Sequence, residues 1–258
     1  MTKGTTFNAY IPMRFEPGNT SVMISQLLFG EEFTVKERSS NWLSISLDFD
    51  GSEGWVCKEF VELREIENGE ETDIDGPVCL ASLPSTTILD LTLGQQRIIP
   101  AGAVWNTERN NSMIWYGHSF ELLSGEGFIT PGAKNNLREI GKRLVSLPHI
   151  PGGRSGFGFD GPGLAQLLCR IMGKNIPRYC QQQVELGNTI NFMTEVREGD
   201  LAFFDNEESE IIHVGMVLDD GYILHCDTCV NIDLLDHHGI YSNEQEKYTH
   251  KLRVIKRI

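Results

Sequence analysis

The chain has 258 residues, is 40% hydrophobic, and carries a formal net charge of −14 with a pI near 4.9. Such a length buries one large core or two to three small ones. The acidity, with no cluster of Lys and Arg, argues against a nucleic-acid surface, which needs basic residues to displace counterions from phosphates.

No apolar run reaches the length of a membrane span or a signal-peptide core, so no membrane insertion is expected. The chain as written reads as cytoplasmic, or as periplasmic or cell-envelope if a leader has been removed. Six cysteines are scattered along a chain large enough not to need staples, and reduced thiols are expected.

Residues 10–63 offer short β-prone pieces separated by turn signals. Alternation in FTVKE and WLSISL has the period of half-buried strands. Several short strands in so few residues predict a small closed barrel, with Trp42 and Trp55 entering its core. Residues 65–77 are polar and turn-rich and read as a linker. Residues 78–129 form a second β-like region, punctuated by Pro100, Gly102 and Gly117, which predicts another small barrel or a β-rich extension of the last domain.

Helical periodicity begins after Pro131. Leu137, Ile140, Leu144 and Leu147 recur at spacings of three and four, with Pro148 as the stop. A second helix is expected over GPGLAQLLCRIMG, with Asp160 as N-cap, Pro162 in the first turn and Gly173 as C-cap. Strand-like runs then occur in GDLAFFD, IIHVGMVLDD, GYILHCD and KLRVIKRI, while residues 233–250 read as a long connection. Helices followed by an antiparallel meander make an α+β domain.

His213 and His225 lie on two strands joined by the turn Asp219-Asp220-Gly221, so both imidazoles can sit on one side of a hairpin. One can act as acid/base while the other orients it through its second nitrogen; the alternative is a pair of satisfied core histidines. Cys226-x-x-Cys229 has metal-ligand spacing, with His213 a plausible spatial neighbour and His237 and His238 following, but structural zinc sites combine a tight knuckle with a second ligand pair, and Cys226 should face away from its strand neighbour His225. Neither metal nor cofactor is expected.

The strings GGRSGFGFDGPGL, GDLAFF, IIHVGMVL and YILHCDTCVNID, with VMISQLLFGEEFTV and GSEGWV upstream, resemble an NlpC/P60 cysteine peptidase carrying bacterial SH3-like modules. The resemblance implies a multidomain chain: an SH3-like barrel over residues 1–68, a second over 69–130, and an α+β papain-like domain over 131–258. It implies cell-wall peptides with a γ-D-glutamyl linkage as the substrate class. In the family an Asp-Cys-Ser-Gly string supplies the nucleophile, and here it reads Asp160-Gly161-Pro162-Gly163. Gly161 thus occupies the nucleophile position, while His213 and His225 match the general base and its orienting residue. The usual Pro-Arg-Asp becomes Pro177-Arg178-Tyr179.

From these departures the expected protein is a catalytically inactive homologue that binds a murein-derived or other short peptide, or a protein partner. Asp160, Arg154 and Ser155, with Glu53 and Trp55 of the first module, are the candidate ligand-binding residues. The alternative is a hydrolase using a relocated thiol, with Cys180 the best placed, or an activated water. Cys169 lies two helical turns beyond Gly161, too far to substitute.

Overall fold

Alternation of buried and exposed side chains sorts the first 66 residues into a seven-stranded antiparallel sheet. Its order is Met23–Leu28, Tyr10–Arg14, Glu53–Cys57, Trp42–Leu47, Phe33–Ser39, Thr2–Thr5 and Glu62–Glu65. The computed structural model describes residues 1–66, 78–106, 112–124 and 127–258. The expected linker lies mostly outside these residues, as does the expected boundary at 68–69.

The core of this sheet is Ile11, Met13, Leu27, Phe33, Leu43, Ile45, Leu47 and Val56. Trp42 and Trp55 do not join it, and both are only half-buried. The strand period decides this: Leu43, Ile45 and Leu47 point inward, which turns Trp42, Ser44 and Ser46 to the other face, and Val56 does the same to Trp55.

The described residues between 78 and 129 form two small antiparallel sheets, a four-stranded one of Gln95–Pro100, Ser85–Asp90, His118–Ser124 and Ser112–Trp115, and a three-stranded one of Val104–Asn106, Val78–Ala81 and Phe128–Ile129. They share an aromatic-rich core that includes Trp105, Trp115 and Phe120 and takes Phe7 and Phe29 from the first sheet.

Helix α1 (Leu137–Leu144) buries Leu137, Ile140, Gly141 and Leu144, and the Asn136 side chain caps it by accepting from the Glu139 N–H. It stops short of Leu147 because Val145 has already left helical geometry and Ser146 takes a positive φ. Helix α2 (Gly161–Ile171) is apolar on nearly every face and is the central helix. Asp160 caps it through the Gly163 N–H, and Gly173 follows its end at φ +79°.

Beyond the short helix α3 (Cys180–Gln183), a seven-stranded sheet closes on itself, because the strand Gly239–Ser242 pairs with Lys247–Arg257. The result is a six-stranded barrel with an added edge strand, Asn188–Ile190. Residues 233–250 are therefore not a long connection: they finish one strand, form a second and begin a third. Their polar composition hid strands whose closure depends on Gly239, where a Cβ would stand 1.8 Å from the His250 carbonyl oxygen.

Alternation divides the barrel's side chains into two sets. Val214, Met216, Leu224 and Cys226 pack outward against α1 and α2, whereas Val217, Ile223, Leu235 and Ile240 fill the barrel. His213 and His225, an even number of residues from Val217 and Ile223, fall on the interior set.

The first sheet is fastened to α2 by a buried ionic cluster. Glu31, 2% exposed, accepts from Arg154 and, at 2.8 Å, from Arg170, while the Arg154 backbone N–H and Nε donate to the side chain and carbonyl of Gln26 at 3.0 and 2.8 Å. Gln166 donates to Asp50 at 2.7 Å, and Arg170 lies 4.2 Å over the Phe49 ring. Among the described residues no helix is long and apolar enough to cross a membrane.

Candidate active site

The hairpin of Ile211–Val217 and Tyr222–Cys226 places Gly215 directly opposite His225. A Cβ at Gly215 would lie 2.9 Å from the His225 Cβ, so glycine is what lets the two strands carry neighbouring imidazoles at this separation. His213 Nε2 and His225 Nδ1 are 3.1 Å apart, and His225 Nε2 is 3.1 Å from Asp233 Oδ2.

A carboxylate accepts and does not donate, so His225 carries its proton on Nε2 and offers a lone pair at Nδ1. His213 then donates from Nε2 and keeps its own lone pair on Nδ1. That nitrogen faces the first residue of α2: a Cβ built on Gly161 would stand 3.4 Å from His213 Nδ1. The relay therefore aims one basic nitrogen at the N-terminal end of the central helix.

Burial holds the His213 pKa well below its ordinary value of 6.5, and His250, His225 and His149 lower it further. A neutral His213 is the form a general base requires. As pH falls below 6.5 the unfolded chain takes up a proton that the folded protein refuses at this site, so folding stability is lost in the window between 6.5 and the lowered folded value. Denaturant unfolding at about pH 7.5 and about pH 5.5 should show a smaller midpoint at the lower pH, and His213→Gln should flatten that dependence.

Asp233 and His250 are not legible as site residues from the sequence. Asp233 falls in the supposed connection, although its even spacing from Leu235 carries the signal. The His250 ring stacks on that of His213 with centroids 4.1 Å apart, and its Nδ1 is 3.0 Å from the adjacent Thr249 hydroxyl.

Asp160 caps α2 and is fully engaged: Oδ1 accepts from Gly163 and Arg178, and Oδ2 from the Gly152 N–H and Arg178. Arg154 belongs to the buried cluster with Glu31, and Ser155 is buried beside it in sequence with its hydroxyl unpartnered. Glu53 is exposed and Trp55 half-buried on the first sheet, and among the described residues no hydrogen bond or ring contact joins either to the imidazoles. The structure thus brings together Gly161, His213 and His225, keeps Asp160 beside Gly161 as the helix cap, and distributes the other four candidates over the module interface and the first sheet.

The described cysteines are all free thiols. Cys226 lies on the opposite strand face from His225 and donates to the Phe159 carbonyl at 3.2 Å; burial pushes its pKa up to about 12, as it does for Cys169. Cys180 opens α3 and donates to the Ile211 carbonyl at 3.5 Å, two residues before His213; burial raises its pKa too.

Residues 147–253 match the NlpC/P60 family, and residues 13–59 match the bacterial dipeptidyl-peptidase Sh3 domain. The chain is 28% identical over 217 residues to a gamma-D-glutamyl-L-lysine dipeptidyl-peptidase of Bacillus subtilis, covering 80% of this chain and 72% of the relative. Its counterpart from Bacillus cereus is 25% identical over 238 residues, covering 80% and 68%. A crystal structure of an NlpC/P60 family protein from Bacillus cereus superposes with a TM-score of 0.80 at 19% identity, over 99% of each chain. An NlpC/P60 endopeptidase from Photobacterium damselae gives 0.71 at 14% identity, over 98% of this chain and 70% of the other. An SH3-like all-β region and an NlpC/P60-like α+β domain are thereby established.

The same findings correct the expectation of an inactive homologue, and with it the description of the chain as a pseudoenzyme lacking its catalytic cysteine. Both curated relatives are named for a peptidase activity, and buried thiols are retained at Cys79, Cys169, Cys180 and Cys226. Glycine at residue 161 does not by itself argue for inactivity when the imidazole relay behind it is complete.

Proposed function

We infer that this protein hydrolyses short γ-D-glutamyl peptides of cell-wall type, with His213 as general base, His225 as its orienting partner and Asp233 fixing the tautomer of both. The observation that carries this reading is the His213 Nδ1 lone pair directed at the side-chain-free Gly161. A water held by that lone pair gives its proton to Nδ1 as its oxygen attacks the scissile carbonyl carbon. The imidazolium then returns the proton to the departing amine nitrogen as the C–N bond breaks. The positive end of the α2 dipole borders the same space and favours the negative charge that develops on the carbonyl oxygen.

The similarity to peptidases named for a gamma-D-glutamyl-L-lysine linkage supports the substrate class. Residues 69–130 are inferred to be a second SH3-like module, and 1–68 and 131–258 the flanking units.

A second reading, with Cys180 as nucleophile, draws support from its place at the start of α3 and its bond to the Ile211 carbonyl on the His213 strand. Incubation with a γ-D-glutamyl-L-lysine peptide, followed by mass analysis, tests both. Hydrolysis is expected, and His213→Gln should reduce it about 100-fold. Under the water mechanism, Cys180→Ser and iodoacetamide leave the rate unchanged; their abolishing it assigns the step to Cys180. An intact peptide, or a rate indifferent to His213→Gln, overturns the hydrolase reading.

A further inference from the structure

His213, His225 and His250 come from three different strands of the barrel, yet each offers a ring nitrogen within 4.8 Å of the others. His213 and His225 are buried and His250 half-buried, with Phe204 against the rings of His213 and His250. The hydrolase relay uses only two of these imidazoles. His250 has no part in it, and among the described residues its ring hydrogen-bonds to the neighbouring Thr249 hydroxyl.

We propose that these three histidines form a binding site for a borderline divalent transition cation such as Zn(II), which holds the relay in a non-basic state. Three imidazole nitrogens and a solvent ligand are a donor set suited to zinc or cobalt. The 3.1 Å separation of His213 Nε2 and His225 Nδ1 is already close to the roughly 3.3 Å edge of a tetrahedron with metal–nitrogen bonds of about 2.05 Å. His250 must unstack from His213 and close by about an ångström and a half to reach the same ion. His250 also lines a surface pocket of about 450 Å³, together with His238, Tyr248, Thr249 and Lys251.

Asp233 supplies the outer support such sites use. Accepting from His225 Nε2–H, it holds the opposite nitrogen, Nδ1, as a lone pair aimed into the cluster. Ligation also requires a lone pair on His213 Nε2. The proton there must move to Nδ1, with no net proton release, and the nitrogen facing Gly161 becomes a donor instead of a base. The silencing rests on the hydrolase reading, but metal binding does not and is measured without substrate.

Titration of the reduced full-length chain with Co(II), read by visible absorption, and with Zn(II), read by calorimetry, tests the site. One equivalent per chain is expected, with the intense d–d bands of a four-coordinate nitrogen site, no thiolate charge-transfer band, and displacement of cobalt by zinc. His250→Phe keeps the stacked ring and removes the ligand, and His250→Gln keeps a polar tip; each should weaken binding at least about tenfold, and Asp233→Asn by about 10- to 100-fold. A joint His237→Ala and His238→Ala variant should bind as the parent does. Circular dichroism of every variant separates loss of ligand from loss of fold. Absence of a four-coordinate spectrum, a thiolate band, or binding indifferent to both His250 variants overturns the site.

Discussion

Replacing Gly161 by cysteine should raise peptide hydrolysis by at least about 1,000-fold and make it sensitive to iodoacetamide, since removal of an established nucleophile typically costs more than that. The backbone accommodates the change. Gly161 is not among the residues at positive φ, and its built Cβ meets His213 Nδ1, the Val214 carbonyl and His213 Cε1 at 3.4, 3.4 and 3.5 Å, ordinary contact distances. A thiol there sits at a helix N-terminus beside a neutral imidazole, both of which favour the thiolate or accept its proton.

Pro162 complicates the single variant. Its ring disfavours helical geometry in any preceding residue with a Cβ, and glycine tolerates this best. The double variant Gly161→Cys, Pro162→Ser should therefore be faster than Gly161→Cys alone. The comparison is a direct measure of how much the proline constrains the start of α2. If neither variant is alkylated faster than Cys180 nor gains activity, His213 Nδ1 is not a working base and the proposed relay fails.

Glu31→Gln should cost about 3–5 kcal/mol, because it leaves Arg154 and Arg170 buried without their shared carboxylate. Glu31 has both oxygens engaged: one accepts from Arg170, the other from Arg154 and the Leu28 N–H at 3.0 Å. A glutamine of the same shape can accept at only one of these and presents its NH₂ to a cation at the other. For a chain of this size the loss corresponds to a melting temperature lower by roughly 10 °C. The exposed pair Lys142–Glu139, 58% and 62% exposed, provides the control, and Glu139→Gln should change stability by less than about 1 kcal/mol. Equal effects of the two substitutions would mean that the first module is not fastened to α2 through Glu31.

Local chemistry makes much of the last domain readable. Leu137, Ile140 and Leu144 recur at helical spacing and are buried together, and Asp160, Pro162 and Gly173 stand where a helix start and stop need them. The Asp219-Asp220-Gly221 turn assigns His213 and His225 to one hairpin, and alternation alone puts Cys226 on the opposite face. The inactive reading, which already holds His213 and His225 as base and orienting residue, gives the absent side chain at Gly161 the greater weight, and the similarity to two relatives named as peptidases is what overturns it.

What the sequence by itself determined were features set by neighbours along the chain: strand period, helix caps, the hairpin, and the identity of residue 161. The tertiary structure alone decided which distant groups meet. Closure of the barrel through Gly239 brought His250 to the imidazole pair, and docking of the first sheet on α2 turned Arg154 from a candidate ligand residue into the partner of Glu31. Those encounters depend on backbone approach and burial between segments far apart in the chain, which residue spacing does not encode.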